Sequence, residues 1–194
     1  MLDETMTNKI ISNIGQKRWE HSQRVKDIAI ELGNIYEEDL KKIEIAALLH
    51  DCAKFLDREK LLKKVDEFDI ILEDVMDHNM ELIHGLLGSK IAKYEFSIDD
   101  IDILNAIQYH TTGRKAMSPL EKIIFISDYI EPGRSFPGVE PVRKLAYENL
   151  DKSIVLAIDQ TIKFLINNDR LIHINTIKAR NYIKIEMIEK GGSK

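Results

Sequence analysis

A chain of 194 residues, 44% hydrophobic and 31% charged, is long enough to bury a real core and has the balance of an ordinary globular domain. Its formal net charge of -5 argues against a long nucleic-acid footprint, which needs a basic face, but leaves room for a small anion held by a few local cations. The single Cys52 excludes an internal disulfide and a thiolate zinc cluster, and both absences suit a reducing cytosol.

The start, Met1-Leu2-Asp3-Glu4-Thr5, is acidic and lacks the apolar core of a signal peptide. No apolar run approaches the ~20 residues that cross a bilayer. The expectation is a cytoplasmic protein with no membrane partner.

Taken in order, the chain reads as helix nearly throughout. A first helix spans about Thr5 to Ile14 and closes at Gly15. A second runs from Gln16 to Leu32 and is expected to stop at Gly33-Asn34, a good C-cap pair. On it His21, Val25, Ile28 and Leu32 share one stripe. Glu37 to His50 reads as the third helix, acidic at its start as the macrodipole prefers. Arg58 to Val65 is a lysine-rich amphipathic helix with a solvated outer face.

The polar stretch from Asp66 to Asn79 reads as a mobile loop with one short helix. Glu81 to Tyr94 carries His84, Leu87 and Ile91 on one face. Ser97 is expected to cap a helix through His110, on which Ile103, Ala106, Ile107 and His110 align. Ser118-Pro119-Leu120-Glu121 combines a capping box with proline at the first helical position, a strong start signal. That helix should end near Pro132-Gly133. One long helix from Pro141 to Asn167, a last one from Asn175 to Lys190 and a frayed Gly191–Lys194 tail complete the chain. The expected architecture is all-α, a bundle of eight to ten helices in one domain over residues 1–194.

Chemistry concentrates in residues that break apolar patterns. Leu48-Leu49-His50-Asp51-Cys52-Ala53-Lys54 ends an apolar run in an adjacent histidine and aspartate. Burying that carboxylate costs several kcal/mol unless something positive compensates it. Of six histidines, His21, His50, His84 and His110 lie at the apolar stripe of four helices, and Asp128 sits inside Ile123–Ile130. One such histidine is ordinarily a hydrogen-bonded core imidazole; four, with two carboxylates, point to a shared site. Six nitrogen and oxygen ligands without a thiolate suit two hard or borderline ions such as Fe, Mn, Co or Mg. Two such ions ~3.5–4 Å apart share a hydroxide and clamp a phosphoryl group for in-line displacement.

The order His21, His50-Asp51, His84, His110, Asp128 resembles the HD-domain metal-dependent phosphohydrolase superfamily in its two-metal form. The local words are more specific. Arg18-Trp19-Glu20-His21-Ser22, His50-Asp51-Cys52-Ala53-Lys54, Ile83-His84-Gly85, Tyr109-His110-Thr111-Thr112-Gly113-Arg114 and Ser127-Asp128-Tyr129-Ile130-Glu131-Pro132-Gly133-Arg134 resemble the bacterial YqeK family, over about residues 8 to 170.

That resemblance implies a symmetrical dinucleoside tetraphosphatase that cleaves diadenosine tetraphosphate to two ADP, at a centre of two divalent ions, expected to be iron. It implies His21, His50, Asp51 and Asp128 as core ligands, with Asp51 bridging, and His84 and His110 on the second metal. Developing charge on the phosphoryl oxygens needs fixed cations, and Lys54, Arg114 and Arg134 each lie near an expected ligand. The expected nucleotide-binding set is Arg18, Lys54, His84, His110, Thr111, Thr112, Arg114, Asp128 and Arg134, with Asp51 and Lys54 catalytic. Trp19 and Cys52 read as core residues, and His78 and His173 as surface or structural ones.

Two alternatives stay open at this level. One is another HD phosphohydrolase: a nucleotidase, a deoxynucleoside triphosphatase or a guanosine-alarmone hydrolase. No Gly-Tyr-Pro word follows the ligands, which disfavours the cyclic-dinucleotide branch. The other is a metal-containing nucleotide sensor without turnover. The chain could be a monomer or a homodimer.

Overall fold

The computed structural model describes residues 3–55, 57–71 and 74–191. Its α-helices are α1 (Glu4–Ile14), α2 (Gln16–Ile35), α3 (Leu40–Leu49), α4 (Arg58–Glu67), α5 (Asp74–His78), α6 (Ile83–Glu95), α7 (Ile101–Tyr109), α8 (Pro119–Ile130), α9 (Val139–Glu148), α10 (Leu150–Asn167) and α11 (Ile174–Gly191), with a 3-10 turn at Met80–Leu82. All but the five-residue α5 have nine residues or more, and no strand occurs among the described residues. No described helix is long and apolar enough to cross a membrane.

Helix α8 is the centre of the bundle. Leu120, Ile123, Ile124, Phe125, Ile126 and Ile130 are buried on nearly every side of it, the composition of a helix enclosed by others. Helices α2, α3, α7, α9 and α10 pack around it, α6 lies on α7, and α11 on α10. One continuous apolar cluster runs from Ile10 to Ile183. Each fully buried Ile or Leu contributes about 1.5–3 kcal/mol, and such residues from α2, α3, α6, α7 and α8 hold together the region that carries the histidines. The Ser118 hydroxyl accepts from the Glu121 amide while the Glu121 carboxylate accepts from the Ser118 amide, so α8 starts as expected.

Four helix ends differ from the sequence reading. Helix α2 continues through Gly33-Asn34 to Ile35. Gly33 serves packing there, since a Cβ would lie 2.3 Å from the Ile43 Cδ1 atom of α3. Helix α3 begins at Leu40, because Asp39 caps it by accepting from the amides of Lys41 and Lys42. Likewise Asp100, not Ser97, caps α7; Ser97 itself has φ +54°, a left-handed conformation outside any helix. The long helix expected over 141–167 is two, because Asn149 is extended (φ -159°) and its side chain accepts from the Lys152 amide to start α10. A short polar side chain that offers the backbone an alternative partner interrupts a helix in this way. The stretch after α4 does hold one short helix, α5, while residues 72 and 73, like the 192–194 tail, lie outside the described residues.

Candidate metal centre

Two helices, α3 and α7, end at a histidine for the same local reason. The last carbonyls of a helix have no intrahelical donor. The Nδ1 of His50 fills that need at Ala47 O (2.6 Å), and the Nδ1 of His110 does so at Ile107 O (2.7 Å). A carbonyl only accepts, so each Nδ1 carries the proton and each Nε2 presents a lone pair. On α2, His21 is set likewise by the Glu131 carboxylate, 3.2 Å from its Nδ1. His84 comes from the first turn of α6, and its Nε2 lies 3.0 Å from that of His110.

These Nε2 atoms converge on two carboxylates. Asp51 follows His50 and is 1% exposed. Its Oδ1 lies 3.1 Å from His84 Nε2 and 3.5 Å from His110 Nε2, while its Oδ2 lies 3.6 Å from His50 Nε2 and 3.7 Å from His21 Nε2. One oxygen thus faces each histidine pair. Asp128, in the last turn of α8, completes the second pair, with Oδ1 3.0 Å from His21 Nε2 and 4.0 Å from His50 Nε2.

Burial pushes the His50 pKa down to about 4, so its imidazole is neutral at pH 7, and burial pushes His84 down as well. Burial alone would raise the Asp128 carboxyl, but neighbouring charge, with the Arg134 guanidinium 2.5 Å from its Oδ1, holds it below the usual carboxylate range.

Lone pairs and carboxylate oxygens therefore meet with few protons between them. His21 Nε2, His50 Nε2 and Asp51 Oδ1 are buried without a hydrogen-bond partner among the described residues. Such orphans are costly unless a cation lies between them. The donor sets His21–His50–Asp51, His50–His110–Asp128 and Asp51–His84–His110 are each compact enough to hold a metal ion. Imidazole and carboxylate together fit a hard or borderline divalent cation.

Cations ring the cluster. Arg18 Nη1 lies 3.0 Å from Asp51 Oδ2, Lys54 Nζ 3.8 Å from Asp51 Oδ1, and Arg134 Nη2 2.5 Å from Asp128 Oδ1. Arg18, His21 and Lys54 line a cleft of about 520 Å³, together with Ile14, Lys17, Arg24, Phe55 and Glu81.

Not every expected residue joins them. The Arg114 guanidinium is bonded to both oxygens of the buried Glu121 (2.6 and 2.8 Å), which ties it to the cap of α8. Thr112 is buried, with its hydroxyl on Gly113 O, and Thr111 lines a separate small cavity with Gln108 and His173. Trp19 and Cys52 are buried as expected, and burial pushes the Cys52 thiol up, away from any nucleophilic role. His78 is exposed, while His173 is buried and its Nδ1 accepts from the Asn175 amide at the start of α11.

The residue that sequence reasoning passed over is Glu131. It is 2% exposed and accepts from Arg24 Nε (2.6 Å) and the Gly133 amide (2.7 Å) beside His21. An acid directly after the apolar end of α8, like Asp51 after that of α3, was the available signal.

Comparison with known proteins agrees with this geometry. The HD-domain family model matches residues 18–133. A symmetrical bis(5'-nucleosyl)-tetraphosphatase of Staphylococcus aureus is 42% identical over 86% of this chain and 87% of its own. The Bacillus subtilis protein of the same name is 40% identical over 87% of this chain and 90% of its own. A crystal structure from Clostridium acetobutylicum, described as an HD-superfamily hydrolase involved in NAD metabolism, superposes with a TM-score of 0.90 at 48% identity, covering 96% of this chain and 99% of that one. Matched over these lengths, the chain belongs to the HD-domain family and, within it, to the family of the symmetrical bis(5'-nucleosyl)-tetraphosphatases.

Proposed function

We propose that this chain hydrolyses diadenosine tetraphosphate between its two central phosphates, releasing two ADP, at a centre of two divalent ions. Iron is the expected metal, with manganese, cobalt or magnesium as alternatives. The observation that carries the two-ion reading is Asp51, whose two oxygens face different histidine pairs. In this reading His21, His50, Asp51 and Asp128 hold one ion, and Asp51, His84 and His110 the other. When bound, such ions neutralise charge on phosphoryl oxygens and lower the pKa of water, so that a nucleophile is available near pH 7.

The chain's own groups do the rest. Arg18, Lys54 and Arg134 already lie 2.5–3.8 Å from ligand carboxylates, so a phosphate held at this centre comes within reach of the same three cations. They neutralise charge that grows on the oxygens as the anhydride bond breaks. ADP departs as an anion, which is why fixed cations and not a general acid surround the centre. Arg114, committed to Glu121, is left out of the phosphate-holding set. The four buried histidines exclude bulk water from one side of the centre. A small nucleotide is the expected partner, and the cytoplasm, as monomer or homodimer, the expected setting.

The test is direct. Metal-replete protein is incubated with diadenosine tetraphosphate, and the products are resolved by ion exchange beside Asp51→Ala. ADP as sole product, lost in the variant, supports the reading. ATP plus AMP would place attack at the chain end, and no product with any of the four metals would refute hydrolysis of this substrate.

A further inference from the structure

The cleft beside the cluster is lined by more than phosphate chemistry requires. Lys17, Arg18, Arg24 and Lys54 supply positive charge for a polyphosphate. Phe55 and Ile14 do not, and they are apolar groups on the wall of an otherwise charged cleft. Phe55 is the one phenylalanine, tyrosine or tryptophan among those lining it. It directly follows Lys54, whose Nζ is 3.8 Å from Asp51 Oδ1, so the ring stands one residue from a cation at the cluster. One side of the ring already carries a charge, Lys60 Nζ at 5.5 Å from its centroid, and Lys60 is itself held by Asn13 Oδ1. The ring is therefore braced from α4 and α1 and half-buried, while Ile14, the other apolar residue of the wall, is almost wholly buried.

A flat, hydrophobic, half-exposed ring held beside a row of phosphate-binding cations is the arrangement that stacks a nucleobase. We propose that Phe55 is the platform for a purine base of the nucleotide, with Lys54 and Arg18 gripping the phosphates that lead from it to the cluster. The proposal rests on the hydrolase reading, because it places base and phosphates of one ligand in one cleft. It makes Phe55 a determinant of nucleotide over inorganic polyphosphate.

The experiment compares ADP with inorganic tripolyphosphate, which carries phosphates and no base, as inhibitors of the metal-loaded enzyme. Phe55→Leu keeps apolar volume and removes the ring. It should weaken ADP inhibition roughly 5- to 100-fold and raise KM for diadenosine tetraphosphate comparably, while leaving tripolyphosphate inhibition within about twofold. In Phe55→Trp, ADP should quench the new indole emission and tripolyphosphate should not, with Trp19, buried in the core, as a constant background read from the parent protein.

Equal weakening of ADP and tripolyphosphate by Phe55→Leu would overturn the proposal, since a merely structural role acts on both. So would an unquenched indole with ADP at saturation. Quenching by ADP in a protein that fails to cleave diadenosine tetraphosphate would support the platform and sink the reaction, so the two readings fail separately.

Discussion

Glu131 offers a sharp test of how the cluster is prepared for metal. Its Oε2 accepts from Arg24 Nε (2.6 Å) and the Gly133 amide (2.7 Å), while its Oε1 faces His21 Nδ1 (3.2 Å). In Glu131→Gln the amide oxygen is drawn to the position that serves two donors, which leaves the NH2 group facing His21 Nδ1. A donor there forces Nδ1 to accept, so the proton moves to Nε2 and points at the place a cation would occupy. The cost to stability is about 1–3 kcal/mol for one mismatched buried contact. The cost to metal affinity is about 10–100-fold, the usual effect of losing a partner that orients a ligand histidine. Glu131→Ala removes all three contacts. It should destabilise by about 3 kcal/mol and not more, because Arg24 is 40% exposed and regains water. Urea unfolding of the metal-free protein measures the first quantity, and competition against a chelator of known affinity measures the second. A Gln variant that is destabilised yet binds metal as the parent does would refute the tautomer argument and leave Glu131 a purely structural acid.

Three further outcomes follow from the geometry. Asp51→Asn should abolish metal binding and cost the metal-free protein no more than about 1–3 kcal/mol, since relief of a carboxylate facing imidazole lone pairs at 3.1–3.7 Å offsets part of the lost charge-assisted bond from Arg18 (3.0 Å); a metal-free variant that fails to fold would contradict this. Gly85→Ala should destabilise by about 1–3 kcal/mol and weaken metal binding, because its Cβ would lie 2.5 Å from the Gln108 backbone oxygen and push α6, with His84, away from α7 and His110; unchanged chelator competition would argue against that coupling. Burial opposes but does not outweigh Lys64 and Lys9, which hold the Glu95 carboxyl below its ordinary 4.5. The stabilisation is thus present above pH 4.5 and lost as the pH falls through the folded value, so Glu95→Gln should flatten the acid limb of the stability curve there, and an unchanged limb would show the pairs to be idle.

The clustered residues were legible in the sequence because a histidine or carboxylate on an apolar stripe is expensive unless it has a purpose. His21, His50, Asp51, His84, His110 and Asp128 all break such stripes, and all meet in space. The Ser118–Glu121 cap was legible because its partners are three residues apart. Local signals misled where a distant contact outweighed them. Gly33 reads as a helix stop until Ile43 of α3 is seen against it, and Arg114 reads as a phosphate cation until it is seen on Glu121. Glu131 offered only its place directly after an apolar helix end, and what that acid is for depends on His21, 110 residues away.

The sequence by itself therefore determined an all-α chain and the identity of its candidate ligands, since burial cost and helical periodicity are written residue by residue. Only the tertiary structure decided which oxygen of Asp51 meets which histidine pair, which ring nitrogen carries the proton, and which cations line the cleft. Those depend on the relative placement of α2, α3, α6, α7 and α8, and that placement is set by the packing of apolar side chains across the bundle.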